Sequence, residues 1–380
     1  MGRYGGEVQG MEIKGVHKEN DRKEMKVGIL TFHRAHNYGA VLQCYALQEI
    51  LKRRGHDVRI IDYRQPWIEE FYKMFSWKLF CDAEGLSGKA AYIKKNLKKF
   101  LLAPHRSRNF SSFRLNFLEL TLPCGNDVPQ DFDCYVIGSD QLWSLHCLGG
   151  ETDDVYFGKF HHPTGSRIIG YAVSADMKSI EALEAELPLM VSGFDALSMR
   201  EREIAERVSS YTGRPCEVCV DPTLLTDTSV WNPLVNDRWK NRKYVLVYEV
   251  RRKDEDKGLL IRKAEQIASR IGGSCEVVDL SQVDRSVTDF VSLFRYAEYV
   301  VTTSFHGCVF SILFERPFYA LPLWNGYDLR YKELLDFIGA SDRLVDRNDP
   351  MIPSPMDYSL IRSSLDELRK RSFSFIEEWI

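Results

Sequence analysis

A chain of 380 residues is long for one ordinary domain and suits two, each with its own core. Its 51 basic and 54 acidic residues leave a formal net charge of −3, so no global field favours nucleic acid and any charged partner has to be met by a local patch. Nine cysteines, an odd number scattered through apolar stretches, fit buried reduced thiols and a cytoplasmic setting better than a disulfide framework.

Residues 1–24 are polar and glycine-rich, with no apolar core for a signal segment, and read as a flexible leader before a fold that starts near Met25. No run of 18 apolar residues occurs, which excludes a transmembrane helix and leaves peripheral contact as the form a membrane association would take. From Met25 onward short apolar runs alternate with helical patterns. KVGILTF, a helix from about Tyr38 to Arg54 and DVRIIDY make a βαβ opening, followed by the strand candidates DCYVIGS, RIIGYAVS, DALSMR and CEVCVD. The polar stretch 231–242 separates these from a second series, YVLVYEV, CEVVDL, YVVTTS and FYALP. The expectation is two doubly wound α/β domains, 25–230 and 243–355, with a closing helix over 356–380 that can pack on either.

Residues 66–117 interrupt the βα rhythm with an aromatic segment, WIEEFYKMFSWKLF, and a basic amphipathic one, KKNLKKFLLAPHRSRNF. Such a helix covers its own domain with its apolar face, or lies on an anionic membrane interface, or does each with one face. The pair Cys216 and Cys219 lacks a second pair of ligands, so core packing is read there rather than zinc, and no metal cluster is expected.

In open α/β sheets ligands bind outside the carboxyl ends of the strands. Seven apolar runs here end in small, polar or ionisable residues, which together outline one cleft. In HRAHNYGA, Asn37 and Gly39 sit where a βα turn feeds a helix N-terminus, fit for an anion or sugar hydroxyl, or for plain capping by Asn37. In GSDQLW, Asp140 is a candidate general base or a cap for the next segment. SMRE puts the anion-binding fork of Arg200 beside Glu201, or makes the two a structural ion pair. TTSFHG places His306 where a strand meets a helix, able to donate a proton, hold an anion, or serve structure alone, and Gly307 can admit a close ligand or a positive φ. Neither GxGxxG nor a P-loop occurs, so NAD enzymes and P-loop kinases drop away.

These motifs, GILTFHRAHNYGAVLQCYALQ, YVIGSDQLW, GYAVS, LSMRE, VDPTLL and TTSFHG, in this order, resemble the polysaccharide pyruvyl transferase family from about Val27 into the 320s. The resemblance implies a GT-B-like fold, with an acceptor-binding N-terminal domain and a donor-binding C-terminal domain. It also implies transfer of the pyruvyl group of phosphoenolpyruvate, a co-substrate, without further cofactor. The acceptor would be a sugar of a bacterial capsule or exopolysaccharide, or its polyprenyl-diphosphate-linked precursor, at the inner face of the cell membrane. Arg200 would hold the donor, His306 act as acid or phosphate ligand and Asp140 as base. Asn37, Gly39, Ser139 and Gln141 would line the acceptor side. Better characterised members carry an arginine two residues before the histidine, where this chain has Ser304. Donor anchoring is then shared with Arg251, Arg252 or Arg34, or the chain is a GT-B glycosyltransferase using a nucleotide sugar. A catalytically inactive glycan-binding relative is the third reading.

Overall fold

The computed structural model describes residues 24–73, 80–81, 84–250, 258–280, 285–323 and 329–380, with the backbone alone for 95–104. The expected leader therefore lies outside the described residues, Glu24 apart. Two sheets organise the rest. The first takes β1 (Lys26–Leu30), β2 (Asp57–Ile60), β3 (Cys134–Asp140), β4 (Arg167–Val173), β5 (Ala196–Met199) and β6 (Glu217–Val218) in the order β2-β1-β3-β4-β5-β6. The second takes β7 (Tyr244–Tyr248), β8 (Glu276–Asp279), β9 (Tyr299–Thr302) and β10 (Phe318–Ala320) in the order β10-β9-β7-β8. Every strand pairing is parallel. The central strands are continuous Val/Ile/Leu/Tyr runs because helices cover both faces and no face is left for water. This is the doubly wound α/β pair that the alternating pattern predicts.

The longer helices are α1 (Tyr38–Arg53), α2 (Pro66–Tyr72), α3 (Gly85–Phe117), α4 (Arg202–Thr212), α5 (Leu259–Ile271), α6 (Val287–Tyr296), α7 (Phe305–Leu313), α8 (Leu329–Phe337) and α9 (Tyr358–Trp379). Thirteen of the 16 residues of α1 are buried, more than an amphipathic surface helix allows, because both domains pack on it. The Tyr38 ring stacks on Phe290 of α6 at 4.5 Å and its hydroxyl donates to the Arg285 carbonyl at 2.7 Å, while the Tyr45 hydroxyl donates to the Val230 carbonyl at 3.1 Å. One apolar cluster accordingly runs from Val136 and Tyr171 of the first sheet to Leu246 and Val300 of the second.

The insertion divides in two. Towards its C-terminal end α3 is core: Phe110 and Phe113 are buried, with Phe110 5.2 Å from the Tyr38 ring and Phe113 6.1 Å from that of Tyr45. Near its N-terminal end it is surface, with Leu86 89% and Ile93 52% exposed. Helix α9 follows the second sheet in sequence but closes on the first domain. Ser372 accepts from the Val220 N–H at 3.0 Å, Arg369 donates to the Leu224 and Thr226 carbonyls at 2.6 and 2.8 Å, and Arg167 donates to the Trp379 carbonyl at 3.0 Å. Among the described residues no helix is long and apolar enough to cross a membrane.

Candidate active site

Each sheet reverses its winding once, between β1 and β3 in the first and between β7 and β9 in the second. Loops leaving the two strands at such a point diverge to opposite faces and open a crevice. Here the two crevices face each other. A cavity of about 140 Å³ is lined by Asn37, Ala40, Asp140 and Gln141 from the first sheet, Tyr248, Val250 and Thr303 to His306 from the second, and Arg330 and Tyr331 of α8.

Helix α7 begins in this cavity. Ser304 is its N-cap by backbone conformation, yet its side chain makes no capping bond, so the positive end of the helix stays open to an anion. At the start of α1, by contrast, the Asn37 carboxamide oxygen accepts from the N–H groups of Gly39 and Ala40 at 2.9 and 3.4 Å, which uses that helix end up. Asn37 thus caps as well as lining the cavity.

Behind the cavity lies a chain of buried charges. His306 Nε2 sits 3.6 Å from Asp221 Oδ2 and makes no hydrogen bond. Asp221 also receives Arg200 Nη1 at 2.5 Å and caps the following turn through the Thr223 N–H. Arg200 continues to Glu201 at 3.5 Å and to Asp140 at 4.0 Å, and lies over the Phe305 ring at 4.8 Å, so it joins both domains. Burial would raise the Asp221 carboxyl, but His306 and Arg200 beside it hold it well below the usual carboxylate range. Burial works against the Arg200 charge, and Asp221, Glu201 and Asp140 outweigh it, leaving the guanidinium raised. Burial dominates at Glu201 and pushes its carboxyl up despite Arg200. Arg200 is therefore largely engaged within the protein: three carboxylates surround it and only Nη2 lacks a hydrogen bond. The ion-pair alternative raised from the sequence describes most of its contacts.

Other sequence-predicted residues separate into those the fold gathers and those it does not. His306, Asp140, Asn37, Gln141 and Ser304 line the cavity. Asp140 holds a φ of 91°, which L side chains rarely adopt, at the carboxyl end of β3. Gly39 touches His306 rather than a sugar: a Cβ there would fall 2.0 Å from His306 Nδ1. Ser139 is fully buried and its hydroxyl donates to the Ala172 carbonyl at 2.7 Å, so it belongs to the sheet and not to the acceptor side. Gly307 is helical, and a Cβ there would fall 2.1 Å from Thr302 Oγ1; the glycine lets α7 leave β9 tightly instead of admitting a ligand. Arg34 is spent on Glu69, at 2.8 Å, and Asp62, at 3.6 Å, which removes it from the candidates for donor anchoring. Arg251 and Arg252 lie outside the described residues.

Sequence reading missed Asp221 and Arg330 as site residues. VDPT was visible as a polar strand end, but nothing in one sequence says that β6 and β9 bring Asp221 and His306 together. Arg330 lies within a helix, where no strand end points to it. Also missed was the wall of a larger cavity, about 640 Å³, which shares Asn37, Ala40, Asp140 and Gln141 with the first and is completed by Trp67, Ile68, Phe71 and Tyr72 of α2. The side chain of Trp67 packs on Gly149, where a Cβ would lie 2.6 Å from the indole. Cys216 and Cys219 are half-buried and buried free thiols, both pushed up to about 12 by burial. Among the described residues no group of three His, Cys, Asp or Glu is placed to hold a metal.

Two Rossmann-like domains closed on a polar cleft that both switch points line define a GT-B-like protein. Residues 37–325 match the polysaccharide pyruvyl transferase family, which covers most of the chain. The chain belongs to that family, whose description is of a transferase acting on polysaccharide. No curated protein matches the chain. Solved structures similar to it include S. aureus MnaA bound to UDP (11% identity, TM-score 0.41, covering 92% of this chain and 89% of that one). The glycosyltransferase SnogD from Streptomyces nogalater is another (13%, TM-score 0.36, 92% and 95%), as is E. coli heptosyltransferase WaaC with an ADP-heptose analogue (10%, TM-score 0.34, 80% and 91%). These scores are low, and the fold stands on the strand orders of this chain.

Proposed function

We propose that this chain transfers the pyruvyl group of phosphoenolpyruvate to two hydroxyls of one sugar, closing a cyclic ketal on a surface polysaccharide or its polyprenyl-diphosphate-linked precursor, on the cytoplasmic side of the membrane. The observation that carries the reading is the cavity where the uncapped N-terminus of α7, His306 and Arg330 face Asp140 across the two domains. The donor brings a carboxylate and a phosphate. Helix N–H groups, an imidazole and a guanidinium are the groups that hold such anions, and they lie on the second domain.

A proton delivered to the donor methylene makes its C2 electrophilic, and one sugar hydroxyl adds there while its proton passes to a base. Loss of phosphate then regenerates the electrophilic centre, and the second hydroxyl closes the ketal as its proton passes to the departing phosphate. His306, set against Asp221 on one side, is the acid of this scheme and Asp140 the base. Ser304 brings no charge where relatives have an arginine, and Arg330 together with the open helix end supplies it. The larger aromatic-walled cavity takes the acceptor, since flat rings suit the apolar faces of pyranoses.

The test is incubation of the purified protein with phosphoenolpyruvate and lipid-linked galactose- or glucose-type acceptors. Phosphate release and a product heavier by one pyruvyl ketal are expected, with His306→Ala lowering turnover about a hundredfold or more. A product formed only from a nucleotide sugar would replace this reading with glycosyl transfer.

A further inference from the structure

Within α3 and the one residue after it, from Gly85 to Leu118, there are eight Lys and Arg and no Asp or Glu, while the rest of the chain holds 43 basic against 54 acidic residues. This helix is thus a local block of uncompensated positive charge in a chain whose remainder is net acidic. The exposed end of that helix is also patterned. Leu86, Ala90 and Ile93, spaced four and three residues apart, fall on one stripe and are all exposed. Lys89 and Lys94 fall on the two sides of that stripe at 100° per residue, and Leu97 continues its spacing. An apolar stripe flanked by lysines is the form of a helix that lies in a bilayer interface: the apolar residues enter the acyl boundary and the lysines meet lipid phosphates.

We infer that the N-terminal part of α3 is a docking surface for an anionic phospholipid bilayer. The core cannot claim this stripe, because burial of α3 against α1 is made further on, by Phe110 and Phe113. The same insertion supplies both the surface and the acceptor wall. Helix α2 lines the larger cavity, and Arg106, farther along α3, donates to the His36 carbonyl at 2.7 Å beside it. The exposed stripe therefore lies roughly 20 Å along the helix axis from the cavity rim, which brings that rim to an acceptor whose lipid end stays in the bilayer.

Flotation of the full chain with vesicles tests this without any catalysis, so its outcome is independent of the pyruvyl reading. Binding is expected to phosphatidylcholine vesicles containing about a third phosphatidylglycerol, to weaken steeply with salt, and to be absent on phosphatidylcholine alone. The double variant Lys89→Glu/Lys94→Glu should cut the bound fraction about tenfold or more, and Leu86→Asp/Ile93→Asp should do the same at unchanged surface lysine content. Leu86, Ile93 and Lys94 are exposed and Lys89 partly so, and an unchanged unfolding midpoint confirms that the fold persists. Binding retained by both variants, or no binding of the native chain to the anionic vesicles at low salt, overturns the proposal. So does a lipid-free dimer, seen by sedimentation velocity, that the Leu86/Ile93 variant dissolves, since the stripe would then cover a second copy.

Discussion

His36 belongs to the same turn as Asn37, yet its imidazole faces inward, stacked 5.4 Å from Phe110, with Arg114, Arg106 and Arg34 around it. Burial and these three charges lower its pKa from 6.5 to about 4. The ring is neutral in the folded state, and between those two values the unfolded chain binds the extra proton. Its contribution to stability is complete above pH 6.5 and drains away as pH falls to about 4. The unfolding midpoint should drop over that interval, and His36→Gln should flatten the drop; a variant with the native pH profile would remove His36 as its cause. Asp221 works in the opposite part of the scale. Its depressed carboxyl supports folding above the unfolded carboxylate range and loses that support only in strong acid, so Asp221 faces Arg200 as a carboxylate at neutral pH.

Among the elements, α1 and α7 meet end to end, and their meeting depends on the absence of one methyl group. Gly39 lies in the first turn of α1, where alanine would ordinarily favour the helix by about 1 kcal/mol. Here its Cβ would occupy the place of the His306 ring. Gly39→Ala should leave α1 folded, displace the imidazole, and lower turnover about a hundredfold, the cost of a displacement near 1 Å at a reacting group. Turnover equal to that of the native chain, with circular dichroism unchanged, would show that the two helices separate in the working state. The strands were readable because a parallel sheet buried on both faces leaves unbroken apolar runs, and all ten such runs form strands. The polar cleft was readable too, since small polar residues at strand ends are what a switch point requires. What could not be read was the pairing of side chains across it. Ser139 and Asp140 are neighbours in one motif, yet the first is bonded into the sheet and the second, at a φ of 91°, stands at the cavity. Arg34 carries the right charge in the right loop, and only the position of Glu69 on α2 shows that it is already paired.

At the scale of the molecule, the domains are tied by polar groups as well as by a shared core. Helix α4 starts in the first domain without a cap of its own, and Glu333 of α8 accepts from the N–H groups of Arg202 and Glu203 at 2.8 and 3.2 Å. A carboxylate at a helix N-terminus gains from both the hydrogen bonds and the dipole. Glu333→Ala should lower stability by about 1 kcal/mol, read as a lower denaturation midpoint. An unchanged midpoint would mean that water replaces the cap at no cost. Because Glu333 stands at the wall of a further cavity of about 380 Å³ that also includes Arg200, Arg202 and Arg330, this clamp sits directly behind the proposed donor site.

Helix α9 has a consequence for how the molecule comes into being. The Val220 N–H and the carbonyls of Leu224 and Thr226, at the far edge of the first domain, are met by side chains of residues 369 and 372, and Arg167 reaches the carbonyl of residue 379. During synthesis these groups wait, exposed, through the emergence of the entire second domain. The first domain is thus the earlier to be made and the later to be finished, and its last edge closes only after residue 379 has left the ribosome.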